Sequence, residues 1–182
     1  QLFNLSHLGI LPSIIIGLIA YQIVIYAYHY TMHKYDFLWR TFHQVHHSAE
    51  RLDAYGSLFH SPLDMIGFTL VGSVSFTLLI GLPPQSITII LFVVNFLAFF
   101  QHANIKTARW IGYIIQRPES HSIHHGRGIH RNNYADLPLI DMIFGTFRNP
   151  KKHQKETGFY DGASSRLKDM LLFRDISKKN SN

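Results

Sequence analysis

MIGFTLVGSVSFTLLIGLPPQSITIILFVVNFLAFFQHANI, residues 65–105, is a run of 41 residues without Asp, Glu, Lys or Arg. Near its middle stands the pair Pro83-Pro84, which interrupts any helix that enters it. A helix needs roughly 20 apolar residues to cross the ~30 Å hydrocarbon core of a bilayer. The stretch therefore predicts two membrane spans, at residues 65–82 and 85–100. Because the connection is short, we expect the two helices to form an antiparallel hairpin.

A second uncharged stretch, residues 1–33, predicts one more span at about 10–28, with its helix continuing to about Lys34. The alternative is three buried helices of a soluble protein, but a soluble domain of this size seldom contains so long an uncharged run. The 182 residues therefore predict an all-α integral membrane protein with about three transmembrane helices and one domain, residues 1–182. The chain begins with Gln1 instead of Met. One expectation is therefore that the N-terminus is truncated and that an upstream helix is missing.

The basic residues indicate which way the spans run. The formal net charge is +6, and all 17 Lys and Arg lie within residues 34–51 and 106–179. Cytoplasmic segments of membrane proteins carry the excess of Lys and Arg. Both segments are therefore predicted to be cytoplasmic, at a bacterial inner membrane or the endoplasmic reticulum, and nucleic acid is not an expected partner. The absence of cysteine excludes disulfides and thiolate metal sites.

The segments outside the spans predict a helical cap on the cytoplasmic side. Residues 37–50 indicate a helix with Trp39 near the lipid headgroups. Residues 107–116 are apolar but too short to span, which favours an interfacial helix. Residues 165–176 indicate an amphipathic helix, and the final SKKNSN is expected to be disordered.

Nine of the 13 histidines fall in four clusters at the ends of the apolar stretches. Neutral imidazole is the commonest metal ligand in proteins. Residues spaced i, i+3 and i+4 share a helix face, so we expect each cluster to aim its imidazoles at one point. Nine imidazoles suit two ions, with four or five for each. The predicted metal ligands are His29, His33, His43, His46, His47, His102, His121, His124 and His125.

Two further histidines, His60 and His130, are candidates for supporting this site without binding the metal; interfacial packing is the alternative role for His60. The sequence lacks the motifs that mark other kinds of metal site. The chain has no HExxH motif, and it has no Glu-x-x-His motif of a carboxylate di-iron bundle. No catalytic residue beyond the metal ligands is expected.

The order HxxxH, HxxHH, apolar hairpin, HxxHH resembles the fatty acid hydroxylase/sterol desaturase superfamily of integral-membrane di-iron enzymes. The resemblance extends from His29 to Phe147. The segment NNYADLPLIDMIFGTF is similar to the family's NY…LWDRLFGTY tail, with Ile140 in place of Trp, and its Asn133 and Asp141 are candidate supporting residues. FHSPLD is similar to the family's FHPLE, with Ser61 inserted and Asp64 for Glu. The family usually has four spans, against three here.

The resemblance implies O₂-dependent oxidation of an unactivated C–H bond in a lipid, an acyl chain or a sterol-like molecule. It implies two iron ions, which zinc can replace in recombinant material because it generally binds nitrogen donors more tightly than ferrous iron. Hydroxylation is the favoured outcome, and desaturation at the same site is the alternative. Electrons would come from an external donor such as cytochrome b5, a ferredoxin or a similar reductase system. Four basic residues would either dock this acidic carrier or simply anchor the chain at the membrane surface. They are Lys106, Arg109, Lys151 and Lys152.

A histidine-rich membrane metal transporter is the alternative from a different class. Transport sites lie near the bilayer midplane, on interrupted helices. In this sequence the histidine clusters lie at the ends of the spans, which favours the enzyme.

Overall fold

The computed structural model describes residues 1–178. Within this part of the chain there is no β-strand, and one isolated bridge joins Gly126 to Thr157. The all-α prediction is therefore confirmed. The α-helices are α1 (Ile10–Lys34), α2 (Asp36–Leu38), α3 (Gln44–His47), α4 (Pro62–Ser73), α5 (Pro84–His102), α6 (Pro118–His124), α7 (Pro138–Ile143) and α8 (Leu167–Leu171).

Three helices are long and apolar enough to cross a membrane, as predicted. They are α1, α5, and α4 together with the π-helix Val74–Leu79 that continues it, with mean hydropathies of 2.1, 1.6 and 1.5. The helix α1 runs to Lys34, in agreement with the sequence. Large apolar side chains such as Phe92, which is 74% exposed, cover their outer faces. These faces are suited to lipid, and the chain is an integral membrane protein.

The second span starts and stops at recognisable signals. Ser61 caps α4 by accepting a hydrogen bond from the Asp64 amide (3.1 Å), and Pro62 occupies the first turn. The helical segment ends at Leu79, three residues before the predicted end at residue 82. The reason is Gly81, whose φ of +51° is a left-handed conformation that ends a helix.

Helices α4 and α5 both pack against α1, and small residues permit the close approach. A Cβ atom at Gly17 would lie 2.4 Å from Leu82 Cδ1, and one at Gly67 would lie 1.9 Å from the Tyr28 hydroxyl oxygen. The half of the bundle near the connection between the second and third spans is an apolar core built around Phe76. The end of α1, the start of α4 and the end of α5 therefore meet at one end of the bundle, beneath the cap.

The helix predicted at 37–50 is present in three short pieces and ends at His47. Its middle piece, Trp39–His43, is a π-helix, a type of turn often found at functional sites. The position of Trp39 near the lipid headgroups stays a prediction, and the side chain is half-buried. Its ring packs against His33, His47 and Phe159, with centroids 5.1, 5.1 and 6.0 Å away.

Two other cap helices are shorter than expected. In 107–116 only a 3₁₀ turn, Arg109–Tyr113, forms, because the amide of Gln116 is bound to the Asp136 carbonyl (2.7 Å) instead of to a helix. In 165–176 only α8 forms, since Phe173 adopts a φ of +59°. The expected disorder of SKKNSN falls largely on residues 179–182, which lie outside the described residues.

Candidate metal centre

The structure brings all nine predicted ligands into two adjacent groups at the cap end of the bundle. Within each group, one candidate nitrogen of every histidine lies within 4.8 Å of the others. Eight of the nine side chains are buried, and His33 is half-buried. The first group consists of His29, His33, His43, His47 and His124. The second group consists of His46, His102, His121 and His125.

Each HxxHH motif contributes to both groups, which the sequence did not predict. His43 and His47 join the first group, and His46 joins the second. In the other motif the i and i+4 residues join the second group, and the middle residue, His124, joins the first. The expectation that each cluster aims at one point is therefore wrong. Around a helix, residue i+4 is offset from residue i by only about 40°, so these two side chains point in similar directions. Residue i+3 is offset by about 60° in the opposite sense, so its side chain can reach the neighbouring group.

The tautomers in the first group are set by fixed acceptors. His29 Nδ1 donates to the Tyr134 carbonyl oxygen (2.8 Å), His33 Nδ1 to the His130 carbonyl oxygen (3.0 Å), and His43 Nδ1 to Asp64 Oδ2 (3.1 Å). A neutral imidazole has one N–H, so each Nε2 is left with a bare lone pair.

These lone pairs point at one another. His29 Nε2 lies 3.2 Å from His33 Nε2 and 2.9 Å from His43 Nε2. Two lone pairs cannot hydrogen-bond, so the contact is repulsive unless a cation sits among them. The Nε2 atoms of His47 and His124 are also buried without a hydrogen-bond partner in the described chain. The donor set fits a metal ion.

The second group has the same feature. His46 Nδ1 donates to the Phe59 carbonyl oxygen (3.2 Å) and His102 Nδ1 to the Ala98 carbonyl oxygen (2.7 Å), while their Nε2 atoms face each other at 3.3 Å. His121 Nε2 completes the set, 3.0 Å from His102 Nε2 and 3.1 Å from His125 Nε2.

Burial keeps the imidazoles of the cap in the form that binds metal. It lowers the pKa of His46, His47, His121, His124 and His125 well below the ordinary value, and the neighbouring imidazoles lower each pKa further. These side chains are therefore neutral at pH 7, which is the state that a metal requires.

Two predicted supporting residues contact the histidines directly. His60 Nδ1 donates to Asp64 Oδ2 (2.7 Å), and its ring stacks on His46 with centroids 4.1 Å apart. His130 lies with its Nδ1 3.1 Å from His47 Nδ1, and burial lowers its pKa to about 4.

The other two act through the loop that carries the acceptors. Asn133 bonds the Ser120 carbonyl oxygen (2.8 Å) and the Arg148 amide (2.7 Å). Asp141 accepts from the amides of Tyr134 (2.8 Å) and Ala135 (2.9 Å), and burial raises its pKa. Neither touches a histidine.

Several residues of the site were missed by sequence reasoning. Asp64 bridges His43 and His60, and its position in FHSPLD was the available signal. A buried polar chain also leads away from the second group: Gln116 Nε2 lies 3.3 Å from His121 Nδ1 and donates to Gln101, and Gln101 donates to Asp136 (2.9 Å). Isolated Gln and Asp residues give no sequence signal for such a chain.

A cavity of about 490 Å³ lies beneath the two groups, between α1, α4 and α5. Its upper wall includes histidines of both groups, His29 and His43 from the first and His46, His102 and His121 from the second. Below them the walls are mostly apolar, with Phe68 and Phe76 among the lining residues. The cavity thus connects the imidazoles with the membrane-embedded part of the protein.

Three apolar helices beneath a buried, nine-imidazole centre define a membrane protein of the histidine-rich, metal-binding class. The chain belongs to the fatty acid hydroxylase family: residues 14–146 match the model of that family. The family resemblance seen in the sequence is therefore confirmed.

Relatives with curated names are similar to this chain at a moderate level. Protein CER1-like 2 of Arabidopsis thaliana is 26% identical over 69% of this chain and 22% of its own length. Alkylglycerol monooxygenase of Caenorhabditis elegans is 25% identical over 67% and 24%, and sphinganine C4-monooxygenase 1 of Arabidopsis thaliana is 25% identical over 77% and 57%. The chain therefore spans less than two thirds of each of these relatives. No solved structure matches it.

Proposed function

We propose that this chain carries a di-iron centre and catalyses the O₂-dependent oxidation of an unactivated C–H bond in a lipid, with hydroxylation as the outcome. The observation that carries the proposal is the pair of buried imidazole groups in the wall of one mostly apolar cavity. The names of two relatives, which are monooxygenases, support hydroxylation over desaturation.

Each group would hold one ion, the first with five histidines and the second with four. Two iron ions would supply the power to activate O₂ and to remove hydrogen from an unactivated carbon. Imidazole without thiolate or carboxylate also suits zinc, so zinc is expected to replace iron in recombinant protein. The nine histidines are proposed as the ligands, and His60, His130, Asn133 and Asp141 as their support.

The protein's own part is to orient and to exclude water. Carbonyl oxygens and Asp64 fix the tautomers, so that Nε2 of His29, His33 and His43 is available without a change of protonation. The cavity walls hold an apolar chain against the histidines, and they keep bulk water from the reacting carbon. An acyl chain or a sterol-like molecule fits these walls, and the exact lipid is left to experiment.

Electrons are proposed to come from an external acidic donor such as cytochrome b5, a ferredoxin or a similar reductase. The side chains of Lys106, Arg109, Lys151 and Lys152 are exposed on the cap and have the charge for docking it. We propose that this cap, with both histidine groups, faces the cytoplasm.

The test is oxidation under ¹⁸O₂ with purified, iron-loaded protein in lipid nanodiscs and a competent reductant. We expect a lipid product carrying one ¹⁸O atom, and about two metal ions per chain by elemental analysis. If no lipid is oxidised, or if one ion or none binds, the proposal is wrong. A product with a new double bond and no ¹⁸O would move the assignment to a desaturase. The exposed residue His7, at the far end of α1, provides a matched His→Ala control.

A further inference from the structure

The cavity beneath the histidines has a mouth on the lipid-facing surface, between α4 and α5. Residues that line it are also exposed, among them Met65 (56%) on α4 and Leu91 (43%) on α5. Both helices pack on α1 but make few contacts with each other, which leaves a cleft between them. The 3₁₀ turn Ala54–Leu58 packs on α5 and closes the cleft on the cap side. The opening therefore faces the bilayer.

The walls of this cleft carry polar side chains, which are unusual on the surface of a membrane span. Thr69, Ser73 and Thr77 are spaced i, i+4 and i+8 on the second span, and all three line the cavity. Asn95 lines it from α5. Thr69 and Asn95 each lie seven residues from the cap end of their helix, Pro62 and His102, which is about 10 Å at 1.5 Å per residue. Each therefore lies about two helical turns below the cap end of its own helix.

The hydroxyl groups are satisfied locally, whereas the amide of Asn95 is only half satisfied. Thr69 Oγ1 donates to the Met65 carbonyl oxygen (2.8 Å), and Asn95 Nδ2 donates to the Leu91 carbonyl oxygen (2.7 Å). Within residues 1–178 no donor reaches the side-chain oxygen of Asn95. A polar group left without a partner in hydrocarbon is costly, so a partner from a ligand would be favourable there.

We propose that the cleft between α4 and α5 is the lateral entrance through which a lipid passes from the bilayer to the histidines, and that Asn95, with Thr69, binds a hydrogen-bonding group on that lipid. The lipid would carry a donor such as a hydroxyl or an amide N–H about 10 Å from the reacting carbon. This inference rests on the proposed lipid substrate. The tests below measure lipid binding instead of oxidation. A failure of the entrance proposal can therefore be told apart from a failure of the proposed function.

The first test closes the cleft. The chain has no native cysteine, so Thr69→Cys with Asn95→Cys can be bridged by a bis-maleimide in a nanodisc. The probe is a stearate with a terminal diazirine, and its sites of photolabelling are mapped by mass spectrometry. We expect labels on cavity residues such as Phe68 before bridging and loss of most of them afterwards. Undiminished labelling would overturn the entrance.

The control pair is Thr88→Cys with Phe92→Cys, bridged by the same reagent. Both residues are exposed on α5 and neither lines the cavity. This bridge joins positions i and i+4 of one helix and leaves the cleft open, so we expect labelling to persist. If this bridge abolishes labelling as completely as the first, closure of the cleft is not the cause and the entrance is refuted.

The second test addresses the polar group. A series of mono-hydroxylated stearates, each with its hydroxyl at a different carbon, competes with the photoprobe in comparison with plain stearate. We expect one position to compete about fivefold better, the value of one ordinary hydrogen bond, and Asn95→Leu to remove that preference. Thr88→Val is the matched control and keeps it. Equal competition by all members, or an undiminished preference in Asn95→Leu, overturns the role of Asn95.

Discussion

The two histidine groups differ in what holds them. The first group depends on one distant loop: the carbonyl oxygens of His130, Asn132 and Tyr134 accept from His33, His124 and His29. Three residues of this loop, His130, Asn132 and Asn133, have positive φ angles of 42°, 72° and 54°. In the second group, by contrast, His102 bonds to a carbonyl of its own helix. His46 of the second group bonds to the Phe59 carbonyl oxygen, which also lies outside this loop. The first group is therefore expected to be more sensitive than the second to changes in the loop 130–134.

Each HxxHH motif places two histidines in one group and its middle histidine in the other group. The largest effect is expected from removal of this middle histidine. His124→Ala opens the first group and His46→Ala the second. Each variant should lose at least about 100-fold in product formation, since loss of a metal-orienting partner alone typically costs 10–100-fold. Each should retain about one metal ion per chain.

The measurements are product yield and elemental analysis, with His7→Ala as the control. Full activity in either variant, or loss of both ions from both variants, would contradict the division into two groups.

Acidification should destabilise the metal-free protein through both groups together. Burial lowers the pKa of five cap histidines, His46, His47, His121, His124 and His125, so the unfolded chain binds protons first as the pH falls. Stability is fully present above the unfolded pKa of about 6.5 and is lost below it, by about 1.4 kcal/mol per pH unit for each histidine. Urea unfolding between about pH 8 and about pH 5, roughly 1.5 units on either side of that pKa, measures this. A flat profile would show that these histidines are not neutral and buried in the folded state.

Loss of Asp141 should lower the metal affinity of the first histidine group more than that of the second, because Asp141 holds the loop that supports the first group. Asp141→Ala leaves the buried amides of Tyr134 and Ala135 without their acceptor, at about 1–3 kcal/mol for each. The Tyr134 carbonyl would shift with them, so metal affinity in the first group should fall 10–100-fold, while the second group changes little. Co²⁺ titration is the measurement, performed in the His46→Ala background for the first group and in the His124→Ala background for the second. Equal losses in both groups would refute the idea that only the first group depends on the loop 130–134.

The sequence predicted the spans, and it singled out the nine histidines that the structure brings together, because both depend on local pattern. The uncharged stretches set α1, α4 and α5, and the nine histidines stand out by number and spacing. It did not predict the exchange between the two HxxHH motifs. A helix face wide enough for i, i+3 and i+4 can serve two neighbouring points, and the choice depends on where other helices place their imidazoles. The packing of Trp39 against His33 and His47 was not predicted for the same reason, since an aromatic ring packs equally well on lipid or on a wall of histidines.

The smallest effect is expected at Asp64, where the two groups are linked. Its Oδ2 accepts from His43 of the first group and from His60, whose ring stacks on His46 of the second. Asp64→Asn keeps an oxygen that can accept from both donors but loses the negative charge, so both hydrogen bonds weaken and neither group collapses. Metal affinity should fall by about tenfold in both groups, at the low end of effects for such partners. His60→Ala removes the ring stacked on His46 and one donor to Asp64, but it leaves the His43–Asp64 hydrogen bond, so it should weaken the second group more than the first. Co²⁺ titration in the two single-group backgrounds measures both variants, and a loss confined to the second group in Asp64→Asn would show that Asp64 does not orient His43.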